Sequence, residues 1–126
     1  MENLHIKATK YTPQIDLNAE TGLLHFSGKS YPENTFDFYQ PTMKWIKEFF
    51  EQESKIDTTL EMDIIYFNSS SSKLFFDLFD IVEEAHEEGN AITIRWLYDA
   101  ENENALEAGE DFKEDFDSLD FNLIEK

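Results

Sequence analysis

Residues Ile64 to Ala85 read IIYFNSSSSKLFFDLFDIVEEA, and the division of this stretch decides the fold. Its first part is apolar and rich in β-branched and aromatic residues, which predicts a strand over Thr58–Asn68. Leu60, Met62, Ile64 and Tyr66 share one face of it. Glu61 and Asp63 lie opposite and give way to Ile65 and Phe67. The strand is therefore expected to start half exposed and to end buried on both faces, as a central strand does. The second part repeats its apolar residues every three or four positions, which predicts a helix over Ser70–Glu88. Leu74, Leu78, Ile81, Val82 and Ala85 form the stripe, Phe75 and Phe79 widen it, and Asp77, Asp80, Glu84 and Glu87 face out. Gly89-Asn90 closes the helix.

The same alternation extends in both directions. Leu4–Ala8 and Leu23–Ser27 read as strands, with a short strand at Ile15 between them. Gly28, Pro32 and Asn34 mark a loop. A helix is expected from Pro41, with Met43, Ile46, Phe49 and Phe50 inward. Downstream, Ala91–Tyr98 reads as a strand and the acidic segment from Asp99 as a helix with Leu106, Phe112 and Phe116 available for packing. Phe121–Ile124 reads as a last short strand. Strands alternating with helices require crossovers, so the fold class is α/β with a mixed sheet and helices packed on it. No linker divides residues 1–126, which are expected to form a single domain.

Composition restricts the function. The chain is 40% hydrophobic with 12 Phe and 2 Trp, enough to close a core. Its 28 acidic residues against 10 basic ones give a net charge of −18. Such a surface repels nucleic acid and anionic membranes and favours basic patches on partner proteins, or cations. Cysteine is absent, which removes thiolate chemistry and Cys-ligated metals. The N-terminus MENLHIKATK has no apolar signal region. A cytoplasmic protein without membrane insertion is expected.

Ser69-Ser70-Ser71-Ser72 sits where the predicted strand meets the predicted helix. One serine there would cap the free backbone N–H groups of the first turn. The same N–H groups and the positive end of the helix dipole also favour a phosphate. From the residues alone, cap and phosphosite both stand.

Four blocks carry a resemblance. GKSYPENTFDFYQP, YFNSSSSKLFFDLFDIVEEA, WLYDAENENALEAGEDF and the terminal FNLIE occur in this order and spacing. Together they make the chain, from Leu4 to Ile124, resemble the SiaC-type regulatory phosphoproteins of bacteria. The resemblance implies a fold similar to the STAS domains of anti-sigma-factor antagonists and a role as a signalling adaptor rather than an enzyme. It implies a protein kinase and a PP2C-type phosphatase as partners. It further implies a diguanylate cyclase activated by the unphosphorylated form, with cyclic di-GMP and biofilm formation as the output. The family's phosphoacceptor is the hydroxyl residue after YFN, usually threonine. Here that residue is Ser69, with Ser70 the next choice. Asn68, Ser70, Ser71, Ser72 and Lys73 belong to the same block, and Lys73 is placed to contact a phosphate on the same turn. Tyr31, Glu33 and Asn34, from the SYPEN block, are expected near the serine helix, shaping the partner surface.

Other patterns are weaker. Asp99–Glu110 matches an EF-hand loop at Asp99, Glu101, Glu103 and Glu110, but Asn104 stands where the loop needs glycine, so a solvated acidic helix is the better reading. The acids after Asp99, set against Lys113 and Lys126, serve either solubility or steering toward a basic partner. His5, His25 and His86 show no metal-ligand spacing. No catalytic residue, metal or cofactor is expected. The rival to the phospho-switch is a constitutive interaction module whose serines only cap the helix.

Overall fold

A computed structural model describes residues 1–126. It places six strands in one sheet: β1 (Leu4–Ile6), β2 (Gln14–Leu17), β3 (Leu23–Ser30), β4 (Thr58–Phe67), β5 (Ile92–Tyr98) and β6 (Asp120–Glu125). Spatial order equals chain order. β1, β2 and β3 pair antiparallel, while β3 through β6 pair parallel. The parallel steps are bridged by α1 (Thr35–Glu51), α2 (Ser69–Glu87) and α3 (Glu103–Asp115). Right-handed crossovers advancing in one direction put all three helices on the same face of the sheet. The mixed α/β fold expected from the sequence is the one found.

The core lies between that face and the helices. Leu24 and Phe26 of β3, Leu60, Met62 and Ile64 of β4, and Ile94 and Trp96 of β5 meet Ile46 of α1 and Phe75, Leu78, Phe79 and Val82 of α2. Leu74 and Ile81 are only partly buried, so the inward stripe of α2 is centred on the phenylalanines. In α3, Ala105, Gly109 and Phe112 are buried. A Cβ at Gly109 would stand 2.5 Å from the Trp96 ring, so only glycine lets α3 approach this closely.

Three expectations are corrected. α1 begins at Thr35, not near Pro41. The Asn34 side chain accepts from Asp37 N–H and caps it, and exposed Pro41 lies inside the helix, on its outer side. β3 does not stop at Gly28 but runs to Ser30. Gly28 takes φ +120°, and the register slips by one between Gly28 and Lys29. Ile65 is the extra residue on β4, because Gly28 pairs with Ile64 and Lys29 with Tyr66. This bulge reverses the facing of the last residues. Phe67 turns inward against Phe75 and Trp96, while Ile65 and Tyr66 are 54% and 53% exposed. The end of β4 is therefore open on one side rather than buried on both.

The second face of the sheet has no helices. Across it runs a single row, one residue per strand: His5, Asp16, His25, Glu61, Arg95 and Asn122. His5 contacts Asp16, His25 Nδ1 lies 2.8 Å from Glu61, and Arg95 Nη1 lies 2.7 Å from the other Glu61 oxygen. Lys126 Nζ adds a pair with Asp63 at 2.8 Å. Every ion pair in the molecule is on this face; the acids of the helical face have none.

Candidate functional site

The carboxyl ends of β3 and β4 lead into α1 and α2, so both helix N-termini begin at one edge of the sheet. Asn68 caps α2: its side-chain oxygen accepts from Ser71 N–H at 2.9 Å. The cap is thus the asparagine before the serines and none of the serines themselves. α2 accordingly starts at Ser69, one residue earlier than expected.

The four hydroxyls then separate by environment. Ser71 is fully buried. Its Oγ donates to the Ser30 carbonyl at 2.9 Å and lies 2.8 Å from Ser30 Oγ, which lies 2.5 Å from the Tyr39 hydroxyl. One proton per hydroxyl orders the chain as Tyr39 to Ser30 to Ser71 to the Ser30 carbonyl. Burial pushes the Tyr39 hydroxyl well above the ordinary tyrosine range, only partly offset by Ser30, so it stays neutral and able to donate. Ser70 Oγ donates to Asn68 Oδ1 at 3.2 Å and lies 2.8 Å from Thr35 Oγ1, tying α2 to the first residue of α1. Ser69 is exposed, and its hydroxyl takes no part in this network. The N–H groups of Ser69 and Ser70 precede the first intrahelical bond, from Ser72 N–H to the Asn68 carbonyl.

Ser69 opens onto a groove of about 430 Å³ between α2 and α3, lined by Ser69, Ser72, Lys73, Phe76, Ala108, Asp111, Phe112 and Asp115. Lys73 is the one cation there, exposed and in no ion pair. Asp111 and Asp115 face it from α3. On the other side, Tyr31 sits between Tyr11 and Tyr66 in edge-to-face contacts with ring centres 5.3 and 5.5 Å apart. Glu33 is exposed and Asn34 caps α1. Ser30, at the start of the SYPEN block, touches Ser71, and Thr35, the residue after it, touches Ser70.

The sequence did not announce Thr35, Tyr39 or the acids of the groove as neighbours of the serines. Each reaches them through strand register or helix packing. The EF-hand resemblance dissolves, because Glu103 and Glu110 stand on α3 and Asn102 caps it. Asn102 is used twice, its Nδ2 donating to the Ile65 carbonyl at 2.9 Å.

Fold and edge together define a small acidic α/β protein with an uncommitted serine hydroxyl at a capped helix N-terminus. The chain belongs to the SiaC family of regulatory phosphoproteins, whose family model matches residues 6–126. It is similar to an uncharacterised protein of Pseudomonas aeruginosa (strain UCBPP-PA14), 36% identical over 115 residues, 91% of this chain and 90% of that protein. The crystal structure of apo-SiaC from Pseudomonas aeruginosa superposes with a TM-score of 0.86 at 32% identity, covering 100% of this chain and 99% of that one. The structure of the diguanylate cyclase SiaD in complex with its activator SiaC, from the same organism, contains a chain matching at TM-score 0.91 and 35% identity, over 98% of this chain and 99% of that one.

Proposed function

We propose that this protein is a non-enzymatic cytoplasmic regulator whose partner binding is switched by reversible phosphorylation of Ser69. The observation that carries the reading is the sorting of the serine run. Ser71 is sealed in the core, Ser70 bridges the two helices, and the Asn68 cap leaves Ser69 with no structural duty. A phosphate there is favoured by the helix dipole and lies one turn from Lys73. Ser69 is accordingly the acceptor, ahead of Ser70. A protein kinase and a PP2C-type phosphatase set the phosphorylation level.

The partner is a diguanylate cyclase, by analogy with the complex formed by the relative. It engages the edge formed by Tyr31, Glu33, Asn34 and the first turn of α2. Excluding it a hundredfold requires about 2.7 kcal/mol of differential binding, within reach of one phosphate at a desolvated edge. The test is a titration of the cyclase with wild-type protein, Ser69→Glu and Ser70→Glu, read as cyclic di-GMP synthesis. The reading requires activation by the wild type and its loss with Ser69→Glu. Activation indifferent to Ser69→Glu would leave a constitutive binding module. Tyr31→Ala with Glu33→Ala is expected to weaken activation at least about tenfold by removing an aromatic contact at the edge.

A further inference from the structure

The two walls of the Ser69 groove are held differently. The first turn of α2 is fixed by the Asn68 cap, by Ser70 on Thr35 and by Ser71 on Ser30. The polar anchors of α3 all lie in its first half: Asn102 on the Ile65 carbonyl, and Trp96 Nε1 donating to the Ala105 carbonyl at 2.9 Å. Beyond Gly109 no side-chain hydrogen bond holds the helix, which rests on apolar packing with Phe112 and Phe116 buried in the core. Phe112 and Phe116 pack on Phe79 at 5.0 and 5.7 Å, and Phe116 meets the half-exposed Phe76 at 4.9 Å. After the helix, an exposed Ser118–Glu83 hydrogen bond is the one side-chain tie back to α2. This less anchored half carries Asp111 and Asp115 into the groove, opposite Ser69 and Lys73.

We propose that Asp111 and Asp115 read the charge at Ser69 within the molecule, so that a phosphate there loosens residues 110–116 from α2. This rests on Ser69 being the phosphorylated residue. A phosphoserine brings nearly two negative charges to a groove that already holds two carboxylates and one cation. The N-terminus of α2 favours the phosphate and is pinned at three points, so the repulsion is relieved on the α3 side. The coupling also accounts for how still more negative charge can alter a molecule of net charge −18. The added charge acts on nearby unpaired carboxylates and, through them, on the Phe76–Phe116 contact, rather than on the general field, which salt screens.

The experiment uses the full chain with phosphoserine installed at Ser69 during translation, and amide hydrogen exchange as the readout. Exchange across residues 110–116 is expected to quicken about tenfold relative to the unmodified protein, a shift of about 1.4 kcal/mol in local opening. The quickening should vanish in D111N/D115N carrying the same phosphoserine. It should also be absent when phosphoserine replaces Ser54, an exposed residue in the loop after α1. Unchanged exchange with phosphoserine at Ser69, persistence of the effect in D111N/D115N, or an equal effect from position 54 would each overturn the proposal. Because the phosphate is installed in synthesis, the result does not depend on which serine a cellular kinase selects. Site mapping on native protein decides that separately.

Discussion

A hydroxyl carries one proton, and in the run Ser69–Ser72 the place that proton goes gives identical residues different duties. Ser71→Ala removes a donor to the buried Ser30 carbonyl and leaves Ser30 Oγ without its acceptor, so a loss of about 1–3 kcal/mol is expected in urea unfolding. Tyr39→Phe breaks the other end of the same chain, and the double variant should lose less than the sum of the two singles. Additive losses would show that the three hydroxyls do not act together. Asn68→Ala is expected to cost about 1 kcal/mol, as a lost cap does, where Ser69→Ala costs almost nothing. Thr42 carries the opposite expectation. Its Oγ1 is buried with no partner, so Thr42→Val should hold or raise stability, by up to about 1 kcal/mol. The asparagine cap was open to sequence reading, since Asn is as good a cap as Ser; the four serines drew attention away from it. The Ser30–Ser71 contact was not, because it joins residues on separate elements through the register of β3 and β4.

Among the elements, α2 and the parallel strands follow from periodicity, because each buries one continuous apolar stripe against the others. What periodicity misses are its local breaks. Pro41 suggested a helix start because proline is comfortable there, yet the outer side of α1 tolerates it and Asn34 supplies the real start. The bulge at Ile65 depends on Gly28 across the ladder and inverts an alternation that looked regular within β4 alone. α3 offers a direct test of close packing. Gly109→Ala should gain up to about 1 kcal/mol from helix propensity alone, but its methyl would press on Trp96 and Leu123. A net destabilisation of about 1–3 kcal/mol is expected, and a gain in stability would contradict the packing described. On the uncovered face, burial alone would raise the Asp16 carboxyl. Hydrogen bonds from Gln14 and His5, with the charge of His5 and His25, outweigh that and hold it below its ordinary value. A lowered carboxylate stabilises the fold above its unfolded-state value and loses that contribution as pH falls through the folded one. Asp16→Asn should therefore flatten the loss of stability below about pH 4, measured by urea unfolding across that range.

For the molecule as a whole, charge is divided between two faces. The sheet face pairs Asp16, Glu61 and Asp63 with His5, His25, Arg95 and Lys126. The helical face leaves its acids unpaired around the edge that carries Ser69. Composition announced the excess of acid but not this division, which exists only once strand order sets His5, Asp16, His25, Glu61 and Arg95 side by side. A partner that meets the helical face should associate more slowly as salt rises, whereas one that meets the sheet face should be far less sensitive; stopped-flow association at several ionic strengths separates the two. The central claim is narrower: one exposed serine among four is the residue that carries the signal. It is tested most directly by intact-protein and peptide mass spectrometry on protein purified from its native cells, with and without phosphatase treatment. The account predicts a single phosphate, removable by phosphatase and localised to Ser69. A phosphate on another residue, or full peptide coverage without one across several growth conditions, would contradict it.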